Sequence, residues 1–302
     1  MKNFVYKYQT INTEGQYVWM QKSFTSQADL FKYLVEEREL VLSQKKSIDK
    51  RAEGTLSVIV PQDEPLIGFT NKAVKPLYEN DKEAGILKRT IVANTYWWMD
   101  SHSDVHLGRR EDSEKAIFTE SIKNRASKIF PIDQHNWSLD GRMGKTLALY
   151  EAPISWRTLG VGRTGMTEAL FADAEISKEK NERRYKDYLN DEIDQHSVGM
   201  RYMDMQLAVN DEQNYPKETA VFKKYISKIG NRQVVEKQGF FFAISEGMLK
   251  EYSAVIGGSN ELTPTMGASQ TSGDTGKDGP SGDTRKKNAK TLEALNKLLT
   301  TI

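Results

Sequence analysis

Ser197 and His135 are the residues whose types and setting could do chemistry together. Ser197 lies in Asp194-Gln195-His196-Ser197-Val198-Gly199-Met200, a serine followed by a small-residue step at the start of a long alternating pattern. Successive side chains of a strand point to opposite faces, so His196 faces away from Ser197 and is a poor base for it. His135 is better placed. It follows Ile129-Phe130-Pro131-Ile132 and precedes the turn-forming Ser138-Leu139-Asp140-Gly141, at a strand end from which a side chain can reach a cleft. An imidazole with an ordinary pKa of about 6.5 can take the serine proton and return it to a leaving amine, a role worth roughly 10²- to 10⁴-fold in rate. Backbone N–H groups near Val198 and Gly199 are the candidate donors to a developing oxyanion. Arg201 shares the Ser197 face and either favours that anion or pairs with an acidic neighbour. Taken alone, these residues leave a structural role open for both serine and histidine.

A second constellation competes. Asp100, His102, Asp104 and His106 alternate, and residues i and i+2 of a strand project to one side, so the four could ligate a metal in a hydrolase. The string lacks a recognisable second half, and its plainer reading is a polar strand end at the rim of a sheet. Trp97-Trp98 and Phe240-Phe241-Phe242 read as core packing rather than a peptide groove. Gly160-Val161-Gly162-Arg163-Thr164-Gly165 reads as a flexible loop, because no Gly-Lys-Ser/Thr follows to make a phosphate cradle.

The chain that positions these groups has 302 residues, 38% of them hydrophobic and 10% aromatic, enough for one core domain with appendages. Its 43 basic and 42 acidic residues give no global attraction to nucleic acid or to an anionic membrane. The absence of cysteine removes thiolate catalysis, disulfides and Cys-ligated zinc, and fits a reducing compartment. No stretch approaches the ~18 apolar residues of a membrane span and no signal-peptide core opens the chain, so the reading is cytosolic and soluble. No cofactor is expected.

Residues 1–80 read as a small α+β extension. Phe4-Val5-Tyr6-Lys7-Tyr8 and Tyr17-Val18-Trp19-Met20 form a hairpin, and Ser26, three residues before Asp29, caps a helix of ~18 residues whose apolar face carries Leu30, Phe31, Leu34, Val35, Val41 and Leu42. In residues 81–262, strands are expected over 88–100, 145–151, 166–176, 197–209 and 239–255, with helices over 113–128 and 177–189. Residues 263–302 read as a disordered linker and a short helix whose Leu292, Leu295, Leu298 and Leu299 make one apolar face.

The order of segments over residues 95–264 resembles the prohead maturation proteases of tailed bacteriophages. The histidine segment of that family is similar to Gln134-His135-Asn136 with Asp140-Gly141-Arg142-Met143-Gly144, and its serine segment to Ile193-Asp194-Gln195-His196-Ser197-Val198-Gly199. A later strand is similar to Leu249-Lys250-Glu251-Tyr252-Ser253-Ala254-Val255, followed by Gly258-Ser259-Asn260. The family's opening segment is similar to Asp100-Ser101-His102-Ser103-Asp104 with Ala116-Ile117-Phe118-Thr119-Glu120-Ser121-Ile122. Asn136 stands where the family usually has Asp, and residues 154–167 look like an insertion.

The resemblance implies a herpesvirus assemblin-like β-barrel core with flanking helices, within an α+β fold. It implies a serine endopeptidase with Ser197 as nucleophile, His135 as base and a later acidic residue, Glu251 or else Glu246, to orient the imidazole. The implied substrates and partners are scaffold and major capsid protein within the immature capsid in the host cytoplasm, together with the chain itself through self-cleavage; a homo-oligomer is allowed. A non-catalytic scaffold or core component of the capsid is the alternative from another class.

Overall fold

The computed structural model describes residues 4–11, 13–14, 17–50 and 84–266. The disordered linker expected from residue 263 does not begin there, because Thr263 is buried and Thr265–Met266 pair as a strand with Ile91 and Thr90; the leucine-faced helix and the rest of that segment lie outside the described residues. The hairpin forms as its alternation predicts, β1 (Phe4–Ile11) pairing antiparallel with β2 (Tyr17–Phe24). Ser26 caps the next helix through its Oγ, which accepts from Asp29 N at 3.1 Å. The single helix expected there is broken at Glu37 into α1 (Gln27–Glu36) and α2 (Arg38–Ser47). The break keeps Leu30, Phe31, Leu34 and Val41 all inside while Leu40 stays exposed. Arg38, just past it, ties to the buried Glu218 carboxylate at 3.0 Å.

The fold is mixed α+β with a curled half-barrel sheet. One sheet runs β11-β4-β8-β7, all antiparallel: β4 (Ile86–Thr95), β7 (Gly144–Ser155), β8 (Met166–Ser177) and β11 (Thr265–Met266). The strand expected over 88–100 ends early, because Trp97 takes a positive φ of 58° and Asn231 clamps Met99 at both its N–H (2.9 Å) and its C=O (2.8 Å). The other sheet runs β3-β9-β10-β5: β3 (Asp49–Lys50), β5 (Asp104–His106), β9 (His196–Val209) and β10 (Phe240–Ala254). A further strand, β6 (Pro131–Asp133), lies parallel to the far end of β10, and β9 runs antiparallel along its other side. The described residues belong to one compact unit, and the stretch expected as an N-terminal extension places β3 against Arg201 and Met200 of β9.

Around the sheets lie α3 (Thr119–Arg125), shorter than the helix expected over 113–128, and α4 (Glu182–Leu189), whose Asn181 cap accepts from Arg184 N at 3.0 Å. Two helices not anticipated, α5 (Pro216–Tyr225) and α6 (Arg232–Gln238), join β9 to β10. One continuous apolar cluster takes Ile91, Val92, Leu170 and Ala172 from the first sheet and Val198, Met200, Leu207 and Leu249 from the second. Trp97, Trp98 and Phe240 to Phe242 all belong to it, as core packing requires.

Candidate functional site

His135 stands where β6 ends. Gln134 N donates to Ala254 O at 3.0 Å and Asn136 N to Asp133 O at 2.8 Å, and between them Gln134 and His135 turn through positive φ of 45° and 55°. Two successive non-glycine residues in the left-handed region are strained and persist only when their surroundings hold them. What holds His135 is strand β10: its backbone N–H donates to Ser253 Oγ at 3.0 Å, and its Nδ1 lies 2.5 Å from Glu251 Oε1. Both side chains of the imidazole–carboxylate pair are 4% exposed.

Register explains why these groups share a face. Residues directly opposite in an antiparallel pair present side chains to the same side, as do residues i and i+2 of one strand. Ser197 is opposite Ser253 and Gly199 is opposite Glu251. A bulge between Leu249 and Glu251 leaves Lys250 without a partner on β9 and sets this phase; bulges re-aim side chains in this way. Ser197, Gly199, Glu251 and Ser253 therefore share a face, and β6 brings His135 to Glu251 and Ser253. Gly199 leaves the space for the carboxylate: a Cβ there would sit 2.1 Å from Glu251 Oε1.

Glu246, the other acidic candidate, is exposed and paired in register with Asp204, away from His135. Arg201 pairs with an acidic neighbour, Nε to Asp49 Oδ1 at 3.1 Å, and Lys250 Nζ reaches Asp49 Oδ2 at 2.6 Å. His196 faces the opposite side, as alternation requires, and is fully buried between Tyr188 OH (2.9 Å from Nε2) and the Thr263 carbonyl (2.8 Å from Nδ1). Burial lowers its pKa to about 4, and with both ring nitrogens engaged on the far face it is no base for Ser197. Residues 156–165 simply connect β7 to β8 and lead into a strand rather than a helix, unlike a phosphate cradle.

In the Asp100 to His106 constellation, ligand atoms of Asp100, Asp104 and His106 lie within 4.8 Å of one another. Lys50 already supplies a cation there: its buried Nζ donates to Asp100 Oδ2 and, at 3.2 Å, to Asp104 Oδ2. Lys45 Nζ adds a second positive charge 2.8 Å from Asp104 Oδ1. Burial opposes every charge in the cluster, yet Lys50 holds Asp100 well below the usual carboxylate range, and Asp100 and Asp104 in turn raise Lys50. Burial, then the Lys50 charge, lowers the His106 pKa to about 3, and its Nδ1 meets Asn94 Oδ1 at 2.8 Å. Two ammonium groups balance two carboxylates, which is a structural ion network. His102 donates its backbone N–H to Asp100 Oδ1 at 2.8 Å and stacks its ring on Trp19 with centroids 5.1 Å apart.

Ser253 and Lys50 were not singled out for roles in the sequence. An i, i+2 relation to Glu251 was the available signal for the first; nothing local marks the second. Among the described residues, no helix is long and apolar enough to cross a membrane. No family model matches the chain, and no curated protein or solved structure matches it.

Proposed function

We propose that this chain is a serine endopeptidase of the prohead-maturation type, with Ser197 as nucleophile, His135 as general base and Glu251 as the orienting carboxylate. The observation that carries the reading is the buried contact between His135 Nδ1 and Glu251 Oε1, beside the strand pair that sets Ser197 opposite Ser253. With Nδ1 engaged by the carboxylate, proton transfer falls to Nε2. Ser197 Oγ attacks the scissile carbonyl carbon as its proton passes to His135. The C–N bond then breaks, the departing amine takes that proton, and water releases the acyl group by the same route. Glu251 keeps the imidazole in one tautomer and stabilises the imidazolium.

The order of segments over residues 95–264 supports the narrower reading: an assemblin-like core, scaffold and capsid-protein substrates within an immature shell, and self-cleavage. The test is the fate of the chain itself on purification. Ser197→Ala is expected to abolish self-processing while leaving the circular dichroism spectrum unchanged; termini identical to those of the native chain would remove Ser197 from the mechanism.

A further inference from the structure

We propose that Ser253 is a positioning residue of the reaction, setting both the base and its carboxylate with one hydroxyl. The proposal rests on the assignment of Ser197, His135 and Glu251 given above. Ser253 is fully buried on β10. Its Oγ donates to Glu251 Oε2 at 2.7 Å and accepts from the His135 backbone N–H at 3.0 Å, and it lies 3.3 Å from His135 Nδ1.

Each contact has a separate consequence. The hydroxyl proton occupies Oε2, which turns Oε1 toward Nδ1 and fixes the plane of the carboxylate. The hydroxyl oxygen satisfies a buried N–H at a residue whose φ of 55° needs outside support. The imidazole is thus held from its backbone and from its ring by groups two residues apart on one strand. A hydroxyl on the Nδ1 side of the ring cannot be the one that hands its proton to Nε2, so Ser253 is distinct from the nucleophile. Loss of its hydroxyl leaves an unsatisfied buried N–H and a carboxylate free to rotate.

Threonine and valine share one shape and differ by the hydroxyl, so Ser253→Thr and Ser253→Val separate hydrogen bonding from packing. The assay is hydrolysis of p-nitrophenyl acetate, with the Ser197→Ala rate subtracted. In that reaction Ser197 Oγ bonds to the acetyl carbon, p-nitrophenolate leaves, the serine proton passes to His135, and water then frees acetate. Ser253→Thr is expected to keep kcat within about threefold of native. Ser253→Val is expected to lose about ten- to a hundredfold in kcat with KM unchanged, the size of a lost hydrogen bond to a charged group. The low-field proton resonance of the His135 to Glu251 contact is expected in the native and Thr chains and to be broadened away in the Val chain. Ser253→Ala, which adds no bulk, is expected to follow Val and serves if the larger side chains disturb folding. Equal kcat in the Thr and Val chains, or a native rate in the Ala chain, overturns the proposal while leaving Ser197 in place. A native chain with no Ser197-dependent turnover overturns this proposal together with the assignment beneath it.

Discussion

At the residue scale, the site depends on a side chain that is not there. Glu251 reaches His135 across the position where any residue but glycine at 199 would put a Cβ, 2.1 Å from the carboxylate oxygen. A carboxylate at the end of a flexible chain can usually move aside at little cost, but this one can move only by leaving Nδ1. Gly199→Ala is therefore expected to lower ester turnover by a factor between about 10² and 10⁴, the upper value being that of an imidazole without its orienting carboxylate, with a much smaller change in the urea midpoint. Native turnover in that variant would show that Glu251 does not orient His135. The meeting of His135 with Glu251 was legible because their types announce chemistry and their segments come in a familiar order. The role of Ser253 was not, because the partners of its hydroxyl depend on the bulge at Lys250 and on the left-handed turn at His135.

At the element scale, long elements with a clear period were legible and short ones were not. β7, β8, β9 and β10 each span twelve residues or more and stand where alternation and β-branched content put them. β3, β5 and β6 have two or three residues each; no periodicity exists at that length, and partner strands alone define them. The missed helices did carry signals: Pro216 opens α5 at a position that suits proline, and Gly239 closes α6 at a φ of 80°.

The start of β9 is held by His196, whose N–H and C=O both meet Thr263 Oγ1, at 3.0 and 2.7 Å. Burial keeps this imidazole neutral down to about pH 4, whereas the unfolded chain takes up its proton near pH 6.5. The unfolded state thus binds more protons in that window, and stability must fall as pH falls through it. From this residue alone the loss is on the order of 3 kcal/mol, and His106, held neutral in the same way, adds to it. Urea unfolding across pH 7 to 4 is expected to show this decline, with a shallower slope in His196→Gln. An equal slope in both chains would mean that His196 takes up its proton equally in the folded and unfolded chain.

At the scale of the whole molecule, the N-terminal segment is stitched into the sheet that carries the candidate site. Asp49 joins Arg201 of β9 to Lys250 of β10, and Lys50 balances Asp100 and Asp104 in the interior. Composition allowed this arrangement without revealing it: a near-neutral chain can hold its charges in solvent or in buried networks, and only the fold distinguishes them. The same assembly sets the backbone of β9 and β10, across which the proposed mechanism requires Ser197 to approach His135. Reactivity toward a serine-directed fluorophosphonate, with the modified residue mapped by mass spectrometry, tests that approach most directly. A single adduct on Ser197, absent when His135 is replaced by alanine, is the expected result. An unmodified chain, or an adduct whose formation is indifferent to His135, would contradict it.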